Sequence, residues 1–88
     1  MSKVIAHIRW VDSVGVSGWR SRSALKSTRQ HLDHESVGYV LEETDYSLVI
    51  IQSQQRSGDD DHMADHMLEI PKAAIVERRD YVIEDFDG

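Results

Sequence analysis

The run Ser47-Leu48-Val49-Ile50-Ile51-Gln52 places four apolar residues in succession, and no other feature limits the fold of this chain as strongly. Successive side chains of an extended strand point to opposite faces. Leu48 and Ile50 therefore fill one side, while Val49 and Ile51 demand cover on the other. The preceding run, SVGYVLEE at 36–43, is joined to it by Thr44-Asp45-Tyr46, so 36–54 reads as a hairpin. Asp45 suits the turn because a short carboxylate bonds back to the nearby backbone. Gly38 interrupts the first arm, where a missing Cβ permits a sharp bend or a close approach of two backbones.

A chain of 88 residues leaves little room for a large core. We expect one domain over 1–83, then an acidic tail at 84–88. The second face of the hairpin must then be covered by a helix of the same chain or by another copy. Each aliphatic side chain so buried is worth about 1.5–3 kcal/mol.

Around the hairpin, residues 3–12 (KVIAHIRWVD) alternate, with Val4, Ala6, Ile8 and Trp10 on one face, and predict a first strand. SVGVSG at 13–18 reads as a loop. Residues 19–32 lack Gly and Pro and predict a short helix, with Arg22, Lys26 and Arg29 along one side; HLDHE at 31–35 is expected to end it. Residues 55–66 read as a polar loop, MLEIP (67–71) as a short strand, KAA as a single turn and IVERRDYVI (75–83) as the last strand. Five short antiparallel strands with one helix between the first and second predict a mainly β fold, a small SH3-like or Sm-like barrel. Open strand edges pair unless they are managed, so a homo-oligomer, closed into a ring, is expected.

Charge is distributed unevenly. Residues 1–30 hold six Lys/Arg against the single acid Asp12, whereas the rest of the chain holds four bases and fifteen acids, for a net charge of −6. Duplex nucleic acid and its dense phosphates are poor partners for such a chain. A small anionic nucleotide or a short RNA needs only a local group of cations. There is no cysteine, which removes disulfides and thiolate metal sites and fits a reducing compartment. No run reaches the ~20 apolar residues of a membrane span, and the N-terminus lacks a signal-peptide core. A cytoplasmic location without membrane attachment is expected.

Catalytic motifs are missing: the sequence contains no GxSxG elbow, no HExxH and no phosphate-cradling glycine loop. We expect no enzyme and no cofactor. DDDHMADH at 59–66 has the HxxxH spacing that would bring two imidazoles to one helical face, but an acidic run beside two histidines is read here as a solvated loop, with no metal. Trp10 lies on the apolar face of the first strand and is expected in the core. Trp19 is less committed, and with Arg20, Arg22, Lys26 and Arg29 it offers an indole beside guanidinium and ammonium groups, the chemistry that stacks on a base and neutralises a phosphate. Gln52 and Ser53 at the end of the hairpin are added as hydrogen-bonding partners. Arg78 and Arg79 are adjacent on one strand and must serve opposite faces.

RWVDSVGVSGW (9–19), SVGYVLEETDYSLVIIQS (36–53) and LEIPKAAIVE (68–77), taken together and in this order, resemble a group of small phage-encoded proteins. That resemblance implies an Sm-like barrel, commonly a ring of several copies, residing in the host cell cytoplasm, with no settled biochemical role. Sm-like proteins often bind RNA or nucleotides, which makes a nucleotide-type ligand, even a sequestered host signalling nucleotide, or single-stranded RNA the expected target. The long His/Asp loop and the acidic tail depart from the group's pattern. They raise an alternative, an acidic module that binds and inhibits a host protein.

Overall fold

The computed structural model describes residues 2–12, 18–27, 32–56 and 62–86. Its elements are β1 (Ser2–Asp12), α1 (Arg22–Ser27), β2 (Leu32–Glu43), β3 (Ser47–Gln54), β4 (Ala64–Pro71), a 3-10 turn at Lys72–Ala74 and β5 (Ile75–Glu84). All five strands belong to one antiparallel sheet in the order β4-β3-β2-β1-β5. The number of strands, their antiparallel pairing and the helix between β1 and β2 agree with expectation. Closure does not: among the described residues β4 and β5 are the two free edges, and the sheet stays open.

β2 shapes the molecule because it serves two neighbours in turn. From Leu32 to Tyr39 it pairs with β1, and from Tyr39 to Glu43 it pairs with β3, so that only Tyr39 is paired on both sides. Gly38 sits at this hand-over. A Cβ there would lie 2.8 Å from the Ile51 carbonyl oxygen and 3.0 Å from the Ile50 Cβ, distances that any side chain would have to force apart. The close approach anticipated for this glycine is real, and it lets β2 turn from one half of the sheet into the other. Two bulges add twist: the β2–β3 register steps over Leu41, and the β1–β5 register steps over Val76.

The resulting curl can be measured by one ion pair. Arg78 and Ser36 both pair with Ile8, so on a flat sheet Glu43 would lie seven residues further along β2, roughly 23 Å away at ~3.3 Å per residue. Instead the Arg78 guanidinium donates to both Glu43 carboxylate oxygens at 3.0 Å. The sheet has folded over, bringing β1 against β3. Ala6 and Ile8 meet Leu48, Ile50 and Ile70 in the core, with Trp10, Val40, Leu68 and Ile75 packed around it. Trp10 thus contributes to the core as expected, and its Nε1 donates to the Ser36 hydroxyl at 3.0 Å. The core is small and the molecule long: its radius of gyration is 17.5 Å, against about 12–13 Å for a compact chain of this size.

Several local expectations are corrected. The helix is shorter than 19–32 within the described residues, and Leu32 to Glu35 belong to β2, where Asp12↔Leu32 and Trp10↔His34 extend the ladder. Backbone pairing with the end of β1 overrides the weak strand preference of this polar segment. β4 begins at Ala64, inside the segment read as a loop. In the hairpin turn Thr44, not Asp45, bonds back: its Oγ1 accepts from the backbone N–H groups of Tyr46 and Ser47 at 3.2 and 3.0 Å. Within the tail, Asp85 pairs with Lys3 and Phe86 lies beneath Arg56.

The second face of β3 is buried, but not by the helix. Val49 and Ile51 are only 6% and 3% exposed, while Leu25 on α1 is 38% exposed and Trp19 wholly so. Across the ladders the residues opposite Val49 and Ile51 are Glu42, Glu69, Tyr39 and Met67. Among the described residues α1 makes few close approaches to any strand.

Candidate functional site

Segment 18–27 contains no acid, and its cations are uncompensated. Ser21 starts α1 as its N-cap, its hydroxyl accepting from the Ala24 N–H at 3.2 Å. This sets Arg22 and Lys26 one turn apart on one side. Arg20, Arg22 and Lys26 are exposed, and among the described residues none of them has an ion pair. Beside them Trp19 has a relative exposure of 102%. A ring this large left fully in water gains nothing for folding. Arg29 lies outside the described residues.

The cations of the sheet are already committed. Arg9 meets Asp33 and Glu77 at 3.5 and 3.6 Å, Arg79 meets Glu77 at 2.9 Å, and Lys72 meets Glu43 at 2.8 Å. Arg78 is held by Glu43 on one side and by Asp80 at 2.9 Å on the other. Hydrogen bonds from Arg78 and Lys72 hold the Glu43 carboxyl at about 2, well below its usual range, and Glu43 and Asp80 in turn raise the Arg78 guanidinium. Lys3 lowers Asp85 in the same way. Arg78 and Arg79 serve different neighbours, as their adjacency requires. Arg79 joins His7, Arg9, Glu35 and Glu77 around a hollow of about 130 Å³, where cross-strand acids and bases balance one another.

Gln52 and Ser53 are not gathered with the basic segment. They are neighbours on β3 and line two separate hollows, of about 330 and 280 Å³, neither of which includes a described residue of 18–27. The larger one opens where β2 and β3 part company. Beyond Tyr39↔Ile51 the two strands no longer pair, β2 continuing with β1 and β3 with β4. The fork between them is lined by Ser36 and Val37 from β2, Ile50 to Gln52 from β3, and His66 and Leu68 from β4. His66 has φ 56°, a left-handed backbone that costs a non-glycine residue roughly 1–3 kcal/mol. The β3–β4 ladder skips the Gln52–His66 level, running from Ile51↔Met67 to Ser53↔Asp65. The imidazole is 72% exposed, with Nδ1 2.9 Å from Asp65 Oδ2.

The HxxxH spacing does not produce a helical metal face. His62 precedes β4 and His66 is on it, whereas Asp59 to Asp61 lie outside the described residues. Among the described residues no group of three or more His, Cys, Asp or Glu is placed to hold a metal ion. Sequence reasoning weighed His66 only in that setting, and it missed Ser36 as the partner of Trp10. Neither has a sequence signature, since a backbone dihedral and a cross-strand partner are decided by the fold. No helix among the described residues is long and apolar enough to cross a membrane. Comparison with protein-family models, with characterised proteins and with solved structures returned no match to this chain.

Proposed function

We propose that this chain is a non-enzymatic binding protein of the Sm-like type, of phage or prophage origin, that captures a nucleotide-type ligand or single-stranded RNA through Trp19, Arg20, Arg22 and Lys26, with Arg29 continuing the basic side. One observation carries the reading: an indole fully in solvent stands beside three cations that no carboxylate of the described chain neutralises. Such a group stabilises the fold little, and it has the stacking surface and charge that a base and its phosphates require. The antiparallel five-stranded sheet supports a small β fold, and the segments at 9–19, 36–53 and 68–77 favour the Sm-like assignment. Exposed Met67, Tyr81 and Val82 on the edge strands β4 and β5 favour assembly of copies through these edges.

Fluorescence anisotropy with a short labelled single-stranded RNA tests the reading. Reversing all three cations (R20E/R22E/K26E) should abolish binding. For the wild type, log K should fall with log salt with a slope of about −2, at ~0.7 per phosphate neutralised on a single strand. Binding that ignores both would refute it. The acidic inhibitor of a host protein has less to stand on, because within the tail Asp85 is tied to Lys3 and Phe86 to Arg56.

A further inference from the structure

We infer that the fork between β2 and β3 is the pocket for a planar, uncharged heteroaromatic ring of the nucleobase type, gripped by Gln52 and His66 above an apolar floor. The inference rests on the nucleotide reading above and adds a second surface for a base, one that no described residue of 18–27 lines. At about 330 Å³ the hollow stands at the lower end of the ~300–1,000 Å³ of small-ligand sites, which suits a ring better than an extended ligand.

Its lining decides the chemistry. Ile50, Ile51 and Leu68 supply apolar surface, Ile50 and Ile51 being almost fully buried. Among the described residues no Lys, Arg, Asp or Glu lines the hollow, so a charged group would lose its hydration there without gaining a counterion from them. The polar side chains that remain are the Gln52 amide, the Ser36 hydroxyl, which also accepts from Trp10 Nε1, and the His66 imidazole, whose Nδ1 is paired with Asp65. A carboxamide presents a donor and an acceptor side by side, the pattern that matches the paired groups on one edge of adenine. An exposed imidazole offers a face for stacking. The left-handed backbone of His66 gives this ring its place at the mouth of the fork, and it is the departure from regular β4 geometry that the core does not need. An extended peptide pairing along the fork side of β2 before Tyr39 is the competing occupant, and the test separates the two.

The test is an amide-resolved NMR titration of the full chain with adenosine, which carries no phosphate for the α1 cations. We expect shifts at Ser36, Val37, Gln52 and His66. Q52A and H66G should each weaken the interaction at least tenfold, and R20E/R22E/K26E should leave it unchanged. H66G also guards against misfolding as an explanation, since glycine accepts φ 56° freely and should raise Tm by a few degrees while removing the ring. Fork signals that do not move with adenosine, that move only with an extended peptide, or that respond equally in Q52A and H66G would overturn the inference. The two readings fail separately. RNA binding lost in the triple reversal with a silent fork sinks only the pocket; adenosine at the fork with RNA binding unmoved by the reversal sinks only the α1 surface.

Discussion

On the curled sheet, Arg78 is clasped by both oxygens of Glu43 and both oxygens of Asp80; on α1, Arg22 and Lys26 are exposed and form no ion pair among the described residues. The same residue types do opposite things. On the sheet, charge closes a distance that backbone pairing leaves open, fastening the hairpin end to β5 and to the 3-10 turn, where the Lys72 N–H also donates to the Tyr46 carbonyl at 2.8 Å. On α1 the charge is not needed by the fold. A cation that is not compensated from within is available to an anion from outside, and this difference separates the arginine that holds the sheet from those proposed to bind a ligand.

The contrast can be broken from the core outward. Ile8→Ala, at a fully buried position facing β3, should cost about 2–5 kcal/mol in chemical denaturation; Leu25→Ala on α1 should stay within about 0.5 kcal/mol. Comparable losses would mean that α1 is part of the core after all. Gly38→Val forces β3 away from β2 and should cost about 1–3 kcal/mol, with a lower Tm; a neutral result would show that the hand-over does not need contact between the two backbones.

The Glu43 clasp sharpens the comparison through pH. Its carboxyl titrates at about 2 in the fold against 4.5 ordinarily. The folded state therefore binds fewer protons than the unfolded chain between these values. The clasp contributes fully above about pH 5 and is lost as pH falls toward 2. Glu43→Gln should remove that part of the acid sensitivity, read as a smaller difference in Tm between pH 7 and pH 3. If wild type and variant lose stability in parallel, the clasp is not formed in solution. The smallest effect on stability belongs to the segment proposed to bind the ligand. R20E/R22E/K26E and Trp19→Ala should each leave Tm nearly unchanged, within about 0.5 kcal/mol per substitution, while RNA binding falls. A destabilised triple variant would place those side chains in the fold rather than at its surface.

Much of the fold is visible in local pattern. The alternation of β1 placed Ala6, Ile8 and Trp10 on the inner face, Gly38 marked a spot in β2 where a side chain would crowd β3, and the absence of acid from 18–27 exposed the basic side of α1. Other features resist such reading because distant residues decide them. HLDHE looks like the end of a helix until β1 offers it a partner. Thr44 and Asp45 are both competent turn residues, and the hydrogen bonds chose Thr44. His66 gives no hint of a left-handed backbone, and the Gln52–His66 pairing it interrupts exists only once β3 and β4 are side by side.

By itself, the order of residues determined the strands, their faces, the short helix and the segregation of free positive charge. These follow from the period of two along a strand and from the lack of acids within a helical turn. The tertiary structure alone decided how β2 divides between two neighbours, that the sheet curls until Glu43 reaches Arg78 without closing, and that a fork opens beside Gln52. Those outcomes depend on which backbone hydrogen bonds win when several partners compete, and that competition is settled between segments far apart in the chain.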